Sequence, residues 1–411
     1  MKKKVAPQII FAILAVAAVF VFGYYRHGGS GASKKETTTI NIWYTDEALT
    51  DYINSAALSF YENTGVRVVP VLHSGLEYTE DICEASEDGS DMPDLYIAGT
   101  ENIESYVALG IAEEVSRDDV SENKASYSKT AVSAVSYNDN IYGYPFYFET
   151  AYLLYNKTYL DKMDQKVPSS IADILAMAEE CELPEEVDNI FIWDVTDIFY
   201  NYFFAGAYMN VGGSCGDDEK KLDICNDDAI ACLQVYQNLN QFFYIDTKSS
   251  SYGNVINDFV EGKTLFTIAT SDAIATLEHA KAEGKFDCEY GIAPLPGIDK
   301  DHVAGGLSTT SAVFVNGYSK HADDAKAFAR YLTNDEAGSL YDRSGKVSCI
   351  RKFTDGTNLE KVQKAYEVSK PLPKIRRFSS YWIELENAYM LIWDGADVEK
   401  TLKDLNDKLK N

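Results

Sequence analysis

The sequence predicts an α/β fold with two domains, and three observations support that fold class. The chain has 411 residues, which is more than one ordinary core holds and suits two domains. Strand-like stretches at Thr39–Tyr44, Val66–Leu72 and Leu95–Ala98 alternate with helical stretches, the order typical of a parallel sheet with crossover helices. After the apolar strand Ala151–Tyr155, a second region again alternates helices and strands.

The elements of the first region follow from their residue patterns. Thr39–Tyr44 alternates polar and apolar residues, as a half-buried strand does. The next helix is expected to end at Gly65, a typical stop signal. Its apolar face consists of Leu49, Tyr52, Ile53, Ala56 and Phe60. Ligands of parallel sheets bind beyond the carboxyl ends of strands, so the loops that begin at Thr45 and Gly99 are candidate ligand loops.

The second region contains helices with clear boundaries or clear apolar faces. Ser169 or Ser170 is expected to cap a helix that runs through Glu180. Asp227–Phe243 is predicted as a helix, and Leu265–Ala269 as a strand. The C-terminal tail is helical and is expected to pack on the body, because apolar residues recur at helical spacing at Val398, Leu402, Leu405 and Leu409.

The charge of the chain excludes one class of partner. The formal net charge is −27, and residues 1–35 carry six of the 37 bases and none of the 64 acids. The remainder therefore has 31 bases against 64 acids, a net charge of −33. Such a surface repels phosphate groups, so we expect no nucleic-acid partner.

The N-terminus is predicted to be an export segment at 1–26. Lys2, Lys3 and Lys4 precede an apolar run from Ile9 to Tyr25. The run is either a cleaved signal peptide or an uncleaved membrane anchor, and its apolar character past the small residues at 15–17 favours the anchor. A lipoprotein signal needs a cysteine just after the run, and the first cysteine is Cys83. Residues 27–38, rich in Gly, Ser and Lys, are predicted to be a flexible tether.

Seven cysteines are present in a chain that is expected to be exported. Cys215 and Cys225 flank a polar stretch that is typical of a hairpin, so a disulfide between them is a reasonable expectation. The spacing of the other cysteines does not match a metal site, and most are expected to be small buried hydrophobic residues.

Short motifs of enzymes occur, but their context does not suit catalysis. Gly212–Gly216 matches the pattern of a nucleophile elbow, yet charged residues of a hairpin tip follow it instead of a helix. Gly262-Lys263-Thr264 matches half of a phosphate-binding loop and precedes a strand. The five histidines are scattered along the chain without metal-ligand spacing. We therefore expect no catalytic residues, no metal and no cofactor.

Six stretches resemble, in order, the extracellular solute-binding proteins of sugar ABC importers, the group that includes maltose-binding protein. One of them, Tyr290–Gly345, joins a short strand, a Pro-Gly loop, small residues and a second strand to two helices, as the hinge-crossing segment of these proteins does. Another reads YGYPFYFETAYLLYN at 142–156. The six stretches are 40–68, 92–115, 142–160, 259–270, 290–345 and 372–392.

The resemblance implies a periplasmic-binding-protein-like fold of two α/β lobes that close around a ligand by a hinge motion. The N-terminal lobe would comprise 39–148 plus 309–352, and the C-terminal lobe 149–305 plus 358–411. The implied function is non-enzymatic: a monomeric receptor at the extracellular face binds a mono- or oligosaccharide and delivers it to the permease subunits of an ABC importer. The N-terminal segment would tether it to the membrane unless it is cleaved.

The resemblance also implies binding residues. Trp382, next to Tyr381, matches an aromatic residue that stacks on a sugar ring, and Glu149 matches an acid that accepts hydrogen bonds from sugar hydroxyls. Asp272 stands where the maltose-binding relative has a stacking Trp, which argues against simply carrying maltodextrin over as the ligand. The complete predicted site consists of Trp382, Tyr381, Glu149, Asp46, Thr45, Glu101, Asp194 and Asp272.

Other readings remain open. The predicted site is rich in acids, so a polyamine or another cationic solute is a physically sensible ligand for the same fold. A surface glycoside hydrolase would use a pair of carboxylates, whose separation the sequence does not reveal. A role in sensing instead of import is also compatible with the resemblance.

Overall fold

A computed structural model describes residues 37–410 except 90, 121–126, 244, 246, 248 and 249. The predicted anchor at 1–26 and residues 27–36 of the predicted tether lie outside the described residues. Within the described part of the chain, every helix is too short or too polar to cross a membrane.

Strands and helices alternate along most of the chain. The strands are β1 (Thr39–Tyr44), β2 (Arg67–Leu72), β3 (Leu95–Gly99), β4 (Ser136–Tyr137), β5 (Asn140–Ile141), β6 (Gly143–Thr150), β7 (Tyr152–Asn156), β8 (Asn189–Phe191), β9 (Asn210–Val211), β10 (Leu222–Asp223), β11 (Thr264–Ala269), β12 (Tyr290–Ala293), β13 (Leu307–Val315), β14 (Val347–Ser348) and β15 (Lys370–Pro371). The helices are α1 (Thr50–Thr64), α2 (Tyr78–Asp88), α3 (Ile103–Ala108), α4 (Arg117–Val120), α5 (Lys129–Ala134), α6 (Lys157–Lys162), α7 (Ile171–Glu180), α8 (Ile198–Asn201), α9 (Asp227–Phe243), α10 (Tyr252–Val260), α11 (Asp272–Ala282), α12 (Ala322–Arg330), α13 (Leu340–Ser344), α14 (Leu359–Val368), α15 (Tyr381–Trp393) and α16 (Val398–Lys410).

The first sheet forms the core of one lobe. Among the described residues it has seven strands in the order β14-β6-β13-β3-β1-β2, with β15 paired to β13. β1 runs parallel to both β2 and β3, as the strand–helix–strand order predicts. β13 is antiparallel to β3 and to β6. The loops after β1 and β3 therefore lie at the same edge of the sheet.

Local signals explain the helix that joins the first two strands. α1 ends at Gly65, whose φ of 77° is left-handed and whose N–H donates to Tyr61 O at 2.8 Å. The predicted apolar face of this helix is buried against the first sheet, with Tyr52, Ile53, Ala56 and Phe60 at its centre. The prediction for this helix is confirmed.

The second sheet forms the core of the other lobe. Its order among the described residues is β12-β7-β11-β8, and all five residues of β7 are buried. α7 begins with a capping box between Ser170 and Asp173, which satisfies two helix N-terminal donors. The C-terminal helix α16 packs on the body as predicted, because Val398, Leu402, Leu405 and Leu409 are buried.

The two sheets meet where the chain passes between them. A single residue, Ala151, separates the end of β6 in the first sheet from the start of β7 in the second. α14 packs beside this passage: the Tyr366 ring stacks on Phe148 with centroids 3.9 Å apart, and its hydroxyl bonds Thr310 at 2.7 Å. α14 contacts β6 and α5 as well as β12, so it lies at the junction of the sheets. The residue limits assigned to the two lobes stay a prediction.

The predicted disulfide between Cys215 and Cys225 is wrong, since both cysteines are free. The predicted hairpin exists, because β9 and β10 pair antiparallel with Val211 opposite Leu222. That register places Cys225 beyond the end of β10, toward Tyr208, and leaves Cys215 inside the loop. The two thiols therefore do not face each other, and Cys225 Sγ instead lies 4.0 Å from Glu399 O.

Two glycines are needed where the passage from β12 to β13 crosses the second lobe. A Cβ on Gly305 would lie 2.1 Å from Ala207 N, and one on Gly206 would lie 2.3 Å from Gly305 O. Since both atoms in the way are backbone atoms, neither clash can be relieved by turning a side chain.

The variant Gly305→Ala should lower the free energy of unfolding by about 1–3 kcal/mol, because the chain must shift to admit the methyl group. Gly253→Ala is the matched control: this glycine lies within α10 with no atom within 4 Å of the added methyl. Gly253→Ala should raise the free energy of unfolding by about 0.5–1 kcal/mol, because alanine loses less backbone freedom than glycine when the helix forms. Urea unfolding of both variants measures the difference, and equal effects of the two changes would contradict the close approach.

Candidate functional site

The loop after β1 carries two of the predicted site residues. Thr45 is exposed, and Asp46 caps the short 3-10 helix Glu47–Leu49 by accepting a hydrogen bond from Ala48 N at 3.0 Å. This bond uses Asp46 Oδ1 and fixes the orientation of the carboxylate. The second oxygen of Asp46 points to a residue from a distant part of the chain.

That residue is Lys346, which joins Asp46 to Glu149. Lys346 Nζ lies 2.9 Å from Asp46 Oδ2 and 3.4 Å from Glu149 Oε1. The register of β14 on β6 pairs Val347 with Phe148, so the residue before Val347 comes opposite Glu149. Lys346 Nζ also lies 5.4 Å from the centre of the Tyr147 ring. Two acids that the sequence analysis named separately are therefore held by one ammonium group.

The surroundings of Lys346 keep it charged. Burial by itself lowers the pKa of its ammonium, but the hydrogen bond to Asp46 and the charge of Glu149 outweigh burial and raise the pKa to about 12. The Lys346 side chain is 21% exposed, against 31% for Asp46 and 44% for Glu149. The two carboxylates consequently keep surface that a ligand can reach.

Glu101 and Trp382 lie in the same cavity, although one follows β3 and the other stands at the start of α15. The cavity has a volume of about 560 Å³ and is also lined by Asn102, Arg376 and Ser379, among others. Glu101 is partly buried, and burial raises the pKa of its carboxyl. A hydrogen bond from its own backbone N–H acts in the opposite direction and is the smaller effect. The cavity therefore combines an aromatic ring, an acid and an exposed guanidinium.

Trp382 is held in place by two tyrosines of the second lobe. Its ring meets the Tyr202 ring edge-on at a centroid distance of 5.6 Å and the Tyr381 ring at 4.9 Å. Trp382 itself is only partly buried, so part of the ring remains open to the cavity. A rigid aromatic face of this kind binds apolar faces of ligands well.

Tyr381 does not share that exposure. The structure places its side chain in the core with 0% exposure, and burial holds the pKa of its hydroxyl well above the usual value. Adjacent positions on a helix point about 100° apart, so a partly open Trp382 and a buried Tyr381 are compatible. In this conformation Tyr381 offers a ligand no surface and serves to support Trp382.

Asp194 and Asp272 are brought together by Tyr252. Asp194 is 6% exposed, and its carboxylate accepts hydrogen bonds from Thr196 N at 2.9 Å and from Tyr252 N at 2.9 Å. Asp272 is exposed and accepts a hydrogen bond from the Tyr252 hydroxyl at 2.8 Å and another from Thr270. Asp194 thus holds a loop, whereas Asp272 keeps free surface.

The predicted residues therefore fall into three groups, and each group contains a residue that the sequence analysis missed. Lys346 was missed because its pairing with Glu149 depends on the register of β14 on β6. Arg376 was missed because only Tyr381 and Trp382 of this stretch were considered as ligand contacts, although Arg376 lines the same cavity. Tyr252, whose ring stacks on Tyr200 at 4.8 Å, has no sequence signal beyond its residue type.

The chemistry of the three groups suits binding more directly than metal chemistry. Carboxylates accept hydrogen bonds from hydroxyl groups, and the open Trp382 ring offers an apolar face. Within the described residues, no cluster of three or more His, Cys, Asp or Glu side chains has the arrangement of a metal site.

Comparison with known proteins places the chain among binding proteins. The family described as bacterial extracellular solute-binding protein matches residues 55–345. A maltooligosaccharide ABC transporter solute-binding lipoprotein of Streptococcus pneumoniae R6 is 24% identical over 390 residues, covering 91% of this chain and 87% of the relative. The maltodextrin-binding protein MdxE of Bacillus subtilis is 24% identical over 412 residues, covering 95% and 93%.

Solved structures have the same fold. An extracellular solute-binding protein from Staphylococcus aureus in complex with maltose has a TM-score of 0.78 at 20% identity, covering 92% of this chain and 98% of that one. The maltotriose-binding protein of Thermus thermophilus, bound to maltotriose, has a TM-score of 0.68 at 20% identity, covering 90% and 99%. The family match spans more than half of the chain and the fold agrees, so the chain belongs to the bacterial extracellular solute-binding proteins.

Proposed function

We propose that this protein is a non-enzymatic receptor that binds an oligosaccharide between its two lobes and delivers it to an ABC importer. The observation that carries the proposal is the cavity in which Trp382 of one lobe and Glu101 of the other face the same space. The names of the relatives support a sugar as the ligand, since both are described as binding maltooligosaccharides or maltodextrin. A maltooligosaccharide is therefore the first ligand class to test.

In the proposed binding mode, residues of both lobes contact the ligand. Trp382 would cover the apolar face of one sugar ring, while Glu101, Asp46 and Glu149 would accept hydrogen bonds from hydroxyl groups. Thr45 and Asp272 are exposed and would extend the contacts. Asp194 and Tyr381 are buried, so their proposed part is to support the neighbouring residues. Closure would bring the two sides onto the ligand by a hinge at the passages between the sheets.

The proposed location is the extracellular face of the membrane, with a permease as partner and the receptor as a monomer. The S. pneumoniae relative is named a lipoprotein. This chain has no cysteine before Cys83, so its tether would be the apolar segment at 1–26, and cleavage of that segment would release the protein.

A panel of saccharides tests the proposal directly. The body from residue 37 onward should bind at least one maltooligosaccharide by calorimetry. At a ligand concentration 100 times Kd, the gain of about 2.7 kcal/mol in stability should raise Tm by roughly 3–4 °C. Product analysis after long incubation should detect no cleavage. A panel of mono- and oligosaccharides without thermal shift or binding heat would overturn the proposal, and cleavage products would overturn its non-enzymatic part.

A further inference from the structure

The acids of the proposed site are largely engaged by groups of the protein itself. Asp194 is bonded to backbone N–H groups, and Asp272 is bonded to the hydroxyls of Tyr252 and Thr270. Glu101 is partly buried, and burial disfavours its charged form. Asp46 and Glu149 keep exposed surface, and both form an ion pair with Lys346. The ammonium group of Lys346 offsets part of their negative charge.

Lys346 is held between the two acids by the backbone of three separate segments. Gly345 has a φ of 70° and turns the chain out of α13, so that β14 can pair with β6 directly afterwards. The pairing puts Lys346 beside Glu149, and the capped loop after β1 presents Asp46 from the other side. The ammonium group therefore sits in a position built by the fold and not by a flexible surface contact.

We propose that Lys346 determines the charge class of the ligand: its ammonium group makes the site select neutral, hydroxyl-rich molecules and reject cationic ones. This inference rests on the proposed saccharide-binding function. A carboxylate that accepts one bond from Lys346 still has lone pairs for ligand hydroxyls. A cationic ligand would instead have to approach an existing ammonium group of the same sign to reach either acid.

The same arrangement explains how acids can serve a neutral ligand. Two neighbouring carboxylates without a counter-ion repel each other and attract cations, whereas the ammonium group between Asp46 and Glu149 offsets part of their negative charge. Removal of the ammonium would therefore have two separate consequences. Glu149 would lose the ion pair that orients its carboxylate, and the two acids would become a binding site for a positively charged solute.

The test compares Lys346→Gln and Lys346→Arg with the wild-type protein, using maltotriose and spermidine as probes in calorimetry. Lys346→Gln should weaken maltotriose binding about 10-fold, the loss typical of a charged hydrogen-bonding group. It should also bind spermidine measurably, with an affinity that falls as salt is added. Lys346→Arg keeps the charge and should stay within about 3-fold of the wild type for maltotriose, with no spermidine binding.

Two further variants separate charge selection from a general loss of structure. Lys326→Gln removes a comparable ion pair, with Glu113 at 2.6 Å, from another part of the first lobe and should leave both affinities unchanged. The double variant Lys346→Gln with Glu149→Gln removes an acid together with its counter-ion, and it should lose the spermidine binding that the single variant gained. Such a loss would show that spermidine binding by the single variant depends on the Glu149 carboxylate.

The outcomes distinguish the inference from the function on which it rests. Maltotriose binding by the wild type, with unchanged binding by Lys346→Gln and no gain for spermidine, would overturn the inference and leave the function intact. Loss of maltotriose binding without a gain for spermidine would show a purely structural role and would also overturn it. A wild-type protein that binds no saccharide of the panel would overturn both.

Discussion

Trp382→Ala is expected to weaken saccharide binding by about 30- to 150-fold, a loss of about 2–3 kcal/mol. A sugar ring that covers roughly half of an aromatic side chain of ~150–250 Å² accounts for this loss at ~25 cal/mol per Å². The ring is already oriented by Tyr202 and Tyr381, so little ordering is needed when a ligand binds. Calorimetric titration with maltotriose measures the change.

Ile383→Ala is the matched control for this prediction. Ile383 follows Trp382 in α15 and is 67% exposed, so its loss should change neither affinity nor stability appreciably. Trp382→Phe keeps an aromatic face and should fall between the alanine variant and the wild type. Unchanged binding by Trp382→Ala, with Tm preserved, would remove Trp382 from the proposed site.

Lys374 is expected to contribute more to the free energy of unfolding as pH rises from 8 to 10.5. This lysine is 1% exposed, and its ammonium donates to Ser136 O at 2.6 Å and to Ser133 O at the end of α5. Burial lowers the pKa of Lys374 from 10.5 to about 8, although the charge of Asp217 opposes that shift. Below pH 8 the folded and the unfolded protein both carry the charge, and the folded protein bears the penalty of burying it.

Between the two pKa values Lys374 is more protonated in the unfolded chain than in the folded one, so its contribution to stability increases with pH in that interval. The lowered pKa of Lys374 corresponds to a gain in the free energy of unfolding on the order of 3 kcal/mol. This gain is reached in full above pH 10.5. The measurement is the difference in free energy of unfolding between the wild type and Lys374→Met across this pH range. The comparison removes the titration of other groups that both proteins share.

Lys370→Met controls for the loss of a lysine in the same segment, because Lys370 is exposed. Its difference from the wild type should not vary with pH over the interval. A wild-type minus Lys374→Met difference that is equally flat would show that Lys374 has an ordinary pKa, and the buried ammonium would then need a different explanation.

Most elements of the fold were predictable because their signals are local. The end of α1 at Gly65, the cap of α7 at Ser170 and the apolar stripe of α16 each depend on residues within one or two helical turns. The parallel pairing of β1 with β2 and β3 followed from the alternation of strands and helices. The order of the family-like stretches then pointed to two lobes.

The candidate site was less predictable, because exposure and pairing are properties of the folded chain. Tyr381 and Trp382 are neighbours in the sequence, yet one is fully buried and the other lines a cavity. Asp194 was chosen as a polar contact, and its carboxylate is occupied by the backbone N–H of Tyr252 at the start of α10. The hairpin at Cys215 was predicted correctly, while the disulfide failed because the register separates the two thiols.

The sequence by itself determined the class of protein: two α/β lobes, an acidic body and the family to which the chain belongs. The tertiary structure alone decided which acids act together. Lys346 and Glu149 are separated by 197 positions, and they meet because one strand pairs with another in a single register. Shifting that register by one residue would turn Lys346 to the other face of the sheet, so no local pattern could have revealed the pair.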